Sequence, residues 1–338
     1  MNKPCTQHFA ALNEYVERIR HQISATAAAT YILHEQKVVN EWYSGTHDRA
    51  RQRIVDAASR FNVASVRKTY LGFVVSLALY EGKIRSLDDS ITDYIDDYID
   101  DYLDITDQQM AAMLSGTTIR HLLTHTHKLH HSNRRLFSAG TDWVYNNMGV
   151  NILIKLMEKL YEKPFVHVME EKVFHPCGFT ETGWSKKRDD NLVWLHEEYT
   201  DDQGNDGNLF VSARELARWG QLHLDRGMYQ GTRIIPAEVF ELATSICTPP
   251  QLESHLPRNG FFWFVQDVPR AASELGDQLP GGSFQSLGIT GCACLVIPKY
   301  QTVAVRMYNQ QGGNPASYDY LEDIKTFGNM VCNMIEKM

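Results

Sequence analysis

No apolar run in the 338-residue chain reaches the roughly 20 residues that a bilayer-spanning helix needs. The opening residues, Met1-Asn2-Lys3-Pro4-Cys5-Thr6-Gln7-His8, hold no apolar core of the kind a secretory leader carries. The six cysteines are scattered at positions 5, 177, 247, 292, 294 and 332, with no CxxC pair and no zinc spacing. That usage suits reduced thiols. These absences predict a soluble cytoplasmic protein with no membrane partner. Positive charge is also in deficit: 33 Lys and Arg against 41 Asp and Glu leave a net charge of −8. Residues 86–119 alone carry nine Asp and no Lys, Arg or Glu. A nucleic-acid surface needs a basic stripe, and the chain offers none. Repeats of solenoid length are missing too.

What is present is an ordinary globular composition, 43% hydrophobic and 22% charged, long enough for one large domain or two. Residues 6–23 place Phe9, Leu12, Val16, Ile19 and Ile23 on one helical face. A hairpin follows, from residues 26–33 through a turn at His34-Glu35-Gln36 to residues 37–43, ending at Gly45. The far end mirrors this arrangement. Residues 292–297 and 302–308 form a second hairpin, and a final helix begins near residue 318 with Leu321, Ile324, Val331 and Met334 as its buried stripe. Helix then hairpin at one end, hairpin then helix at the other, predicts a single antiparallel sheet assembled from both termini. The fold class is therefore α+β, an antiparallel sheet flanked by terminal helices with a helical insertion. Residues 1–60 and 200–338 are expected to form a discontinuous α/β domain, and residues 61–199 a mainly helical one, with the active site at their junction.

The stretch that organises the chain runs from Phe61-Asn62-Val63-Ala64-Ser65-Val66-Arg67-Lys68 into Leu71-Gly72-Phe73-Val74-Val75-Ser76-Leu77-Ala78-Leu79. Residues 66–79 read as a helix apolar on nearly every side, hence buried, with Gly82 as its stop. Its first turn carries Ser65 and Lys68, three apart and on one face. Buried lysines are rare unless paired or working, and burial lowers the amine's pKa. Such a lysine can take the proton of a hydroxyl one turn away and make it a nucleophile. A capping Ser with a surface Lys would give the same four letters, so the apolar surroundings and the later motifs have to decide between the two.

Residues 93–104 repeat Asp every few positions but lack the Gly turn and Glu of a calcium loop, which reads as a solvated face. His121, His125, His127, His130 and His131 raise the question of zinc. No Glu lies between His121 and His125, and no carboxylate ligand is near, so a helix end closed by His and Thr is the better reading. Tyr145-Asn146-Asn147 sits at the start of a helix over residues 150–161, with Tyr145 and Asn147 able to face one cleft. Ser212 and Glu215 form a capping box for a further helix. The run Ser286-Leu287-Gly288-Ile289-Thr290-Gly291-Cys292 enters the C-terminal hairpin with two glycines that let a ligand approach the backbone.

These pieces, in this order, resemble the serine β-lactamase and penicillin-binding protein superfamily. The nearest branch is similar to class C β-lactamases, DD-peptidases, family VIII-type esterases and 6-aminohexanoate-dimer hydrolases. Ser65-Val66-Arg67-Lys68 matches SxxK and Tyr145-Asn146-Asn147 matches YxN. The run Ile119-Arg120-His121-Leu122-Leu123-Thr124-His125-Thr126 resembles a further family segment, as do Leu87-Asp88-Asp89, Pro176-Cys177-Gly178-Phe179 and the six residues from Ser212 to Ala217. The match extends over about residues 25–310. It implies a β-lactamase/DD-peptidase-like fold with no cofactor and no metal. Ser65 would be the acylated nucleophile, Lys68 and Tyr145 the coupled acid–base pair, and Asn147 the group that orients the substrate.

The third family motif, K-T-G or H-x-G, would fall on Ile289-Thr290-Gly291. The oxyanion donors would then be the backbone N–H groups of Ser65 and Cys292, worth about 2.7–4 kcal/mol each in comparable enzymes. Two positions depart from the pattern. Ile289 stands where the family has Lys or His, which removes a carboxylate-binding cation and argues against β-lactam or D-Ala-D-Ala substrates. His127-Lys128 replaces a frequent Ser-Gly and is expected to line the pocket.

The sequence thus points to a serine hydrolase cleaving a small ester or amide through an acyl-enzyme on Ser65. The alternative is a ligand-binding protein that kept the fold, with Ile289 in its favour, and a metal-dependent hydrolase stands third. Pocket shape would depend on residues 128–144 and 245–285, which follow no readable pattern. Oligomeric state has no signature in the sequence.

Overall fold

The structure is a computed structural model, and it describes residues 7–50, 52–94, 112–130, 134–135, 137–185, 187–195 and 208–338. The chain opens with helix α1 (Ala10–Gln22), followed by strands β1 (Ala27–His34) and β2 (Lys37–Gly45). Glu35 and Gln36 join these two strands with φ of 48° and 63°, the left-handed pair that a two-residue hairpin turn requires. Strand β3 (Arg60–Asn62) leads through a 3₁₀ turn (Ala64–Arg67) into helix α2 (Lys68–Tyr80). Short helix α3 (Ile119–Leu123) and the longer α4 (Met148–Tyr161) follow. Next come β4 (Thr182–Trp184), β5 (Leu192–Val193) and β6 (Leu209–Ser212), then helices α5 (Ala213–Leu224) and α6 (Ala237–Thr244). The chain closes with β7 (Phe264–Val265), β8 (Phe284–Leu287), β9 (Ala293–Ile297), β10 (Thr302–Tyr308) and helix α7 (Tyr320–Ile335).

The main sheet is antiparallel throughout, in the order β7-β8-β9-β10-β1-β2, so strands from both ends of the chain meet at the β10–β1 pair. Strand β1 is nearly all apolar because both of its faces are covered. Ala27, Ala29, Tyr31 and Leu33 point into the core shared with α2 and α5, while Ala28 and Ile32 point into the core shared with α1 and α7. Strands β9 and β10 alternate in the same way, with Cys294, Val296 and Val305 on one side and Leu295, Ile297 and Ala304 on the other. The sheet is thus the middle of three layers.

Gly220 of α5 lies flat on this sheet. A Cβ there would come within 2.6 Å of Val303 Cγ1 and 2.9 Å of Cys294 Sγ. On the other face, a buried Asn13–Thr30–Asn40 cluster ties α1 to the strands, with hydrogen bonds of 2.6 to 3.2 Å. A second, four-stranded sheet, ordered β4-β6-β3-β5, joins the segments on either side of the helical region. Helix α6 comes from the C-terminal segment yet packs on α2.

Several local readings need adjustment. The Ser212 hydroxyl accepts from the Glu215 N–H, as a cap should, but the Glu215 carboxylate does not return to Ser212. It accepts instead from the backbone N–H groups of Thr180 and Glu181 and from the Thr182 hydroxyl. His121 closes the first turn of α3 rather than the last: Thr118 caps the helix and donates its own N–H to His121 Nδ1 at 3.1 Å. Most of the Asp-rich run lies outside the described residues.

Candidate active site

Helix α2 explains how a lysine comes to be buried. Every residue from Lys68 to Ala78 is buried, because α4 and α6 pack on the helix and Trp219 of α5 covers Tyr70 and Phe73. Tyr70 stacks on Trp219 with ring centroids 4.2 Å apart, and Trp219 Nε1 donates to the Thr69 hydroxyl at 3.0 Å. Lys68 is 2% exposed at the start of this helix. Just upstream, Ala64 adopts φ of 46°, a left-handed conformation that a non-glycine residue rarely takes. The Asn62 side chain holds that bend by accepting from the Ala64 N–H at 2.9 Å. The bend presents Ser65 at the helix start, with its hydroxyl toward the lysine.

Lys68 Nζ lies 2.7 Å from Ser65 Oγ and donates to it. Tyr145 O–H donates to the same oxygen at 2.6 Å, and Lys68 Nζ also donates to the Tyr145 hydroxyl oxygen. The three heteroatoms form a closed triangle. Burial, reinforced by the neighbouring Arg67 charge, pulls the Lys68 amine well below the ordinary lysine range. Burial pushes the Tyr145 phenol up, against the opposing effects of its Ser65 hydrogen bond and Arg67. Both shifts favour the neutral forms. The Tyr145 ring remains 42% exposed along the cleft while its hydroxyl reaches inward.

His125 supports that ring from behind, with centroids 4.7 Å apart. It is itself buried, and burial together with the Lys68 charge holds it well below the usual imidazole range, so it packs as a neutral ring. His127 Nδ1 accepts from the Leu129 N–H, and the His127 ring lies against Gly149 instead of lining the cleft. Among the described residues no three His, Cys, Asp or Glu side chains are grouped to hold a metal ion. In the Tyr-Asn-Asn run, Asn146 turns inward to cap α4 through the Met148 N–H, which leaves Asn147 on the cleft wall.

The cleft holds about 330 Å³, at the small end for a ligand site. Ser65, Tyr145 and Asn147 line one side, and Gly288, Ile289 and Gly291 line the other. Thr290 and Cys292 do not line it. The Thr290 hydroxyl donates to the Asn62 carbonyl at 2.9 Å, and the buried Cys292 thiol faces the carbonyls of Asn62 and Tyr308. Gly288 brings the loop backbone itself against the nucleophile turn, at Val63. A Cβ there would lie 2.3 Å from the Val63 carbonyl oxygen, whereas one on Gly291 would meet the Tyr308 ring.

Ile289 itself is 79% exposed at the cleft rim. Its N–H, and that of Ser65 in the first helical turn, have no acceptor among the described residues. From behind, Arg306 donates to the Gly291 carbonyl and pairs with Asp323 at 2.9 Å, both side chains fully buried. A wider hollow outside α1, lined by Asn13, Glu14 and Trp42, carries no nucleophile and base.

The third wall of the cleft is formed by Phe264 and Glu274, from the 245–285 segment expected to shape the pocket, and by Gln310, Asn314 and Tyr320, which the sequence did not mark. Glu274 lies in a segment without helical or strand periodicity, so no sequence signal marks it.

Comparison with known proteins agrees with this geometry. A β-lactamase family model matches residues 12–325. An uncharacterised protein of Alkalihalophilus pseudofirmus is 38% identical over 345 residues, covering 98% of each chain. A class C β-lactamase solved in complex with cefoxitin superposes with a TM-score of 0.74 at 14% identity, covering 98% of this chain and 99% of that one. EstCE1, a hydrolase with promiscuous acyltransferase activity, superposes with a TM-score of 0.72 at 16% identity, over 96% and 99% of the two chains. With a family model spanning nearly its whole length and a fold to match, the chain belongs to the β-lactamase family of serine hydrolases.

Proposed function

We propose that the protein cleaves a small, partly apolar ester or amide through a covalent acyl-enzyme on Ser65. The observation that carries this reading is the triangle of Ser65 Oγ, Lys68 Nζ and Tyr145 Oη on the cleft wall, with Lys68 buried behind the two hydroxyls. With Lys68 neutral, its lone pair accepts the Ser65 proton as Oγ bonds to the substrate carbonyl carbon. The carbonyl π electrons move to oxygen, and the N–H groups of Ser65 and Ile289 hold that oxyanion. Ile289 thus replaces Cys292 as the second donor, because Gly288 is the residue that brings the strand against the nucleophile turn. Each such donor is worth about 2.7–4 kcal/mol in comparable sites.

Collapse of the intermediate expels the alcohol or amine, which takes its proton from the Lys68–Tyr145 pair. Water then adds to the acyl carbonyl by the same route and releases the acid. Asn147 orients the substrate from the side wall.

The third family motif, read from Gly288, becomes Ser286-Leu287-Gly288. Its first position is then a buried serine whose hydroxyl has no hydrogen-bond partner among the described residues, not Ile289. In either register the motif supplies no cation, which supports an ester or simple amide over a carboxylate-bearing β-lactam or D-peptide.

The test is hydrolysis of p-nitrophenyl esters of short acids. Wild type is expected to turn over, and Ser65→Ala to stay folded and inactive. Normal turnover by Ser65→Ala would remove Ser65 from the mechanism. Failure of wild type on a full panel of short esters and amides, with no covalent adduct, would favour a ligand-binding role.

A further inference from the structure

The third wall of the cleft carries one charged side chain, Glu274, among the described residues. It shares the cavity with Ser65 and Tyr145, so anything acylating the serine lies within reach of its carboxylate. No Lys or Arg among the described residues forms an ion pair with Glu274. Its polar neighbour is the Tyr320 hydroxyl at the start of α7. Two guanidinium groups of this part of the chain are already committed elsewhere, Arg306 to Asp323 and Arg270 to Asp267.

The Glu274 backbone is tied to strand β8, its carbonyl accepting from the Gln285 side chain at 2.8 Å. Burial raises the carboxyl from the ordinary range to about 7. A carboxylate kept in a small cavity without a counter-charge costs free energy that an incoming cation would offset. The remaining wall suits the stem of such a ligand, with Phe264, Leu287 and Ile289 apolar and Gln310 and Asn314 hydrogen-bonded to each other at 2.9 Å. The field at the reacting centre is also affected, since Glu274 adds to the upward shift of the Tyr145 phenol.

We propose that the cleft selects substrates bearing a cationic amine, with Glu274 as the residue that pairs the ammonium group and rejects anionic acyl or leaving groups. This inference rests on the Ser65 hydrolase reading for its catalytic test, but not for its binding test.

The catalytic test uses matched esters that differ only in charge. On the acyl side these are the p-nitrophenyl esters of 4-(trimethylammonio)butanoate and of its neutral isostere 5,5-dimethylhexanoate, with mono-p-nitrophenyl glutarate as the anion. On the leaving-group side they are the propionate esters of choline and of 3,3-dimethylbutanol. At pH 8 the cationic member of one pair is expected to exceed its neutral isostere in kcat/KM by roughly tenfold to a hundredfold, the low end of the range for a close, desolvated charge pair. In Glu274→Gln that ratio should fall to near one, and the glutarate ester should gain relative to the neutral ester. Ratios equal in wild type and Glu274→Gln for both pairs would overturn the assignment.

The binding test reads the thermal shift given by choline against 3,3-dimethylbutanol. Stabilisation by choline in wild type, lost in Glu274→Gln, is the expected result whether or not Ser65 reacts. An equal response to both compounds would overturn the proposal independently of catalysis. A protein that hydrolyses none of the esters yet shows the choline shift would retain the Glu274 site and lose the hydrolase reading.

Discussion

Glu274→Gln gives a prediction whose size follows from the structure. The carboxyl titrates near 7 in the folded protein and near 4.5 as a free side chain. Because the folded value is raised, the folded state keeps its proton where the unfolded state has released it. Stability from this group is complete below about pH 4.5, declines as pH rises toward 7, and stays lost above that. The gap between about 4.5 and about 7 corresponds to about 3 kcal/mol. Solvent at the cleft mouth reduces this to about 2–3 kcal/mol.

Glutamine matches the protonated carboxyl in shape and does not titrate, so the variant escapes the loss. At roughly 2.1 cal/mol/K per residue, 338 residues give an unfolding entropy of about 0.7 kcal/mol/K. The expected gain in Tm is therefore about 3–4 °C at pH 8 and near zero at pH 4. Melting curves for both proteins across that range supply the test. A difference in Tm that does not change with pH would show that Glu274 is solvated in the folded protein, and the charge argument for the cleft would fail with it.

Four further outcomes follow from the same geometry. Lys68→Met should lose about 10²–10⁴ in kcat, the usual size of an acid–base contribution, while its Tm stays level or rises because a buried amine is replaced by a thioether. A large drop in Tm with activity retained would contradict the assigned role. Wild-type kcat/KM should fall toward acid as Lys68 gains a proton, with the midpoint below the ordinary lysine range; a flat profile in acid would exclude a neutral-amine base. Gly288→Ala places a methyl against the Val63 carbonyl and should depress kcat far more than it lowers Tm, as read by ester kinetics and circular dichroism. Asp323→Ala leaves the buried Arg306 charge uncompensated and should destabilise the fold by about 3–5 kcal/mol in urea unfolding, a far larger effect than removal of an exposed pair.

How much of this was legible beforehand depended on periodicity. Both hairpins, both terminal helices and the buried helix after Ser65 announce themselves through residues spaced two or three to four apart, and the structure places them within a few residues of those readings. Ser65, Lys68 and Tyr145 were readable because each sits beside a strongly patterned helix. The third motif was harder. Two glycines three apart, Gly288 and Gly291, fit the same letters, and only the packing of Gly288 on the Val63 carbonyl separates them. His125 lay in a conspicuous cluster, yet its support of the Tyr145 ring depends on a left-handed bend at φ of 56° that carries no sequence mark. Glu274 was illegible for a simpler reason: irregular chain gives no period, and its position opposite the nucleophile is a product of tertiary packing alone.

The central claim is that Ser65 is a nucleophile made reactive by Lys68. Incubation with an alkyl fluorophosphonate, followed by intact-mass and peptide analysis, addresses it most directly. One adduct per chain is expected, on the peptide containing Ser65, absent from Ser65→Ala and formed at least about a hundredfold more slowly in Lys68→Met. No adduct on wild type, a label on another residue, or an undiminished rate in Lys68→Met would contradict it.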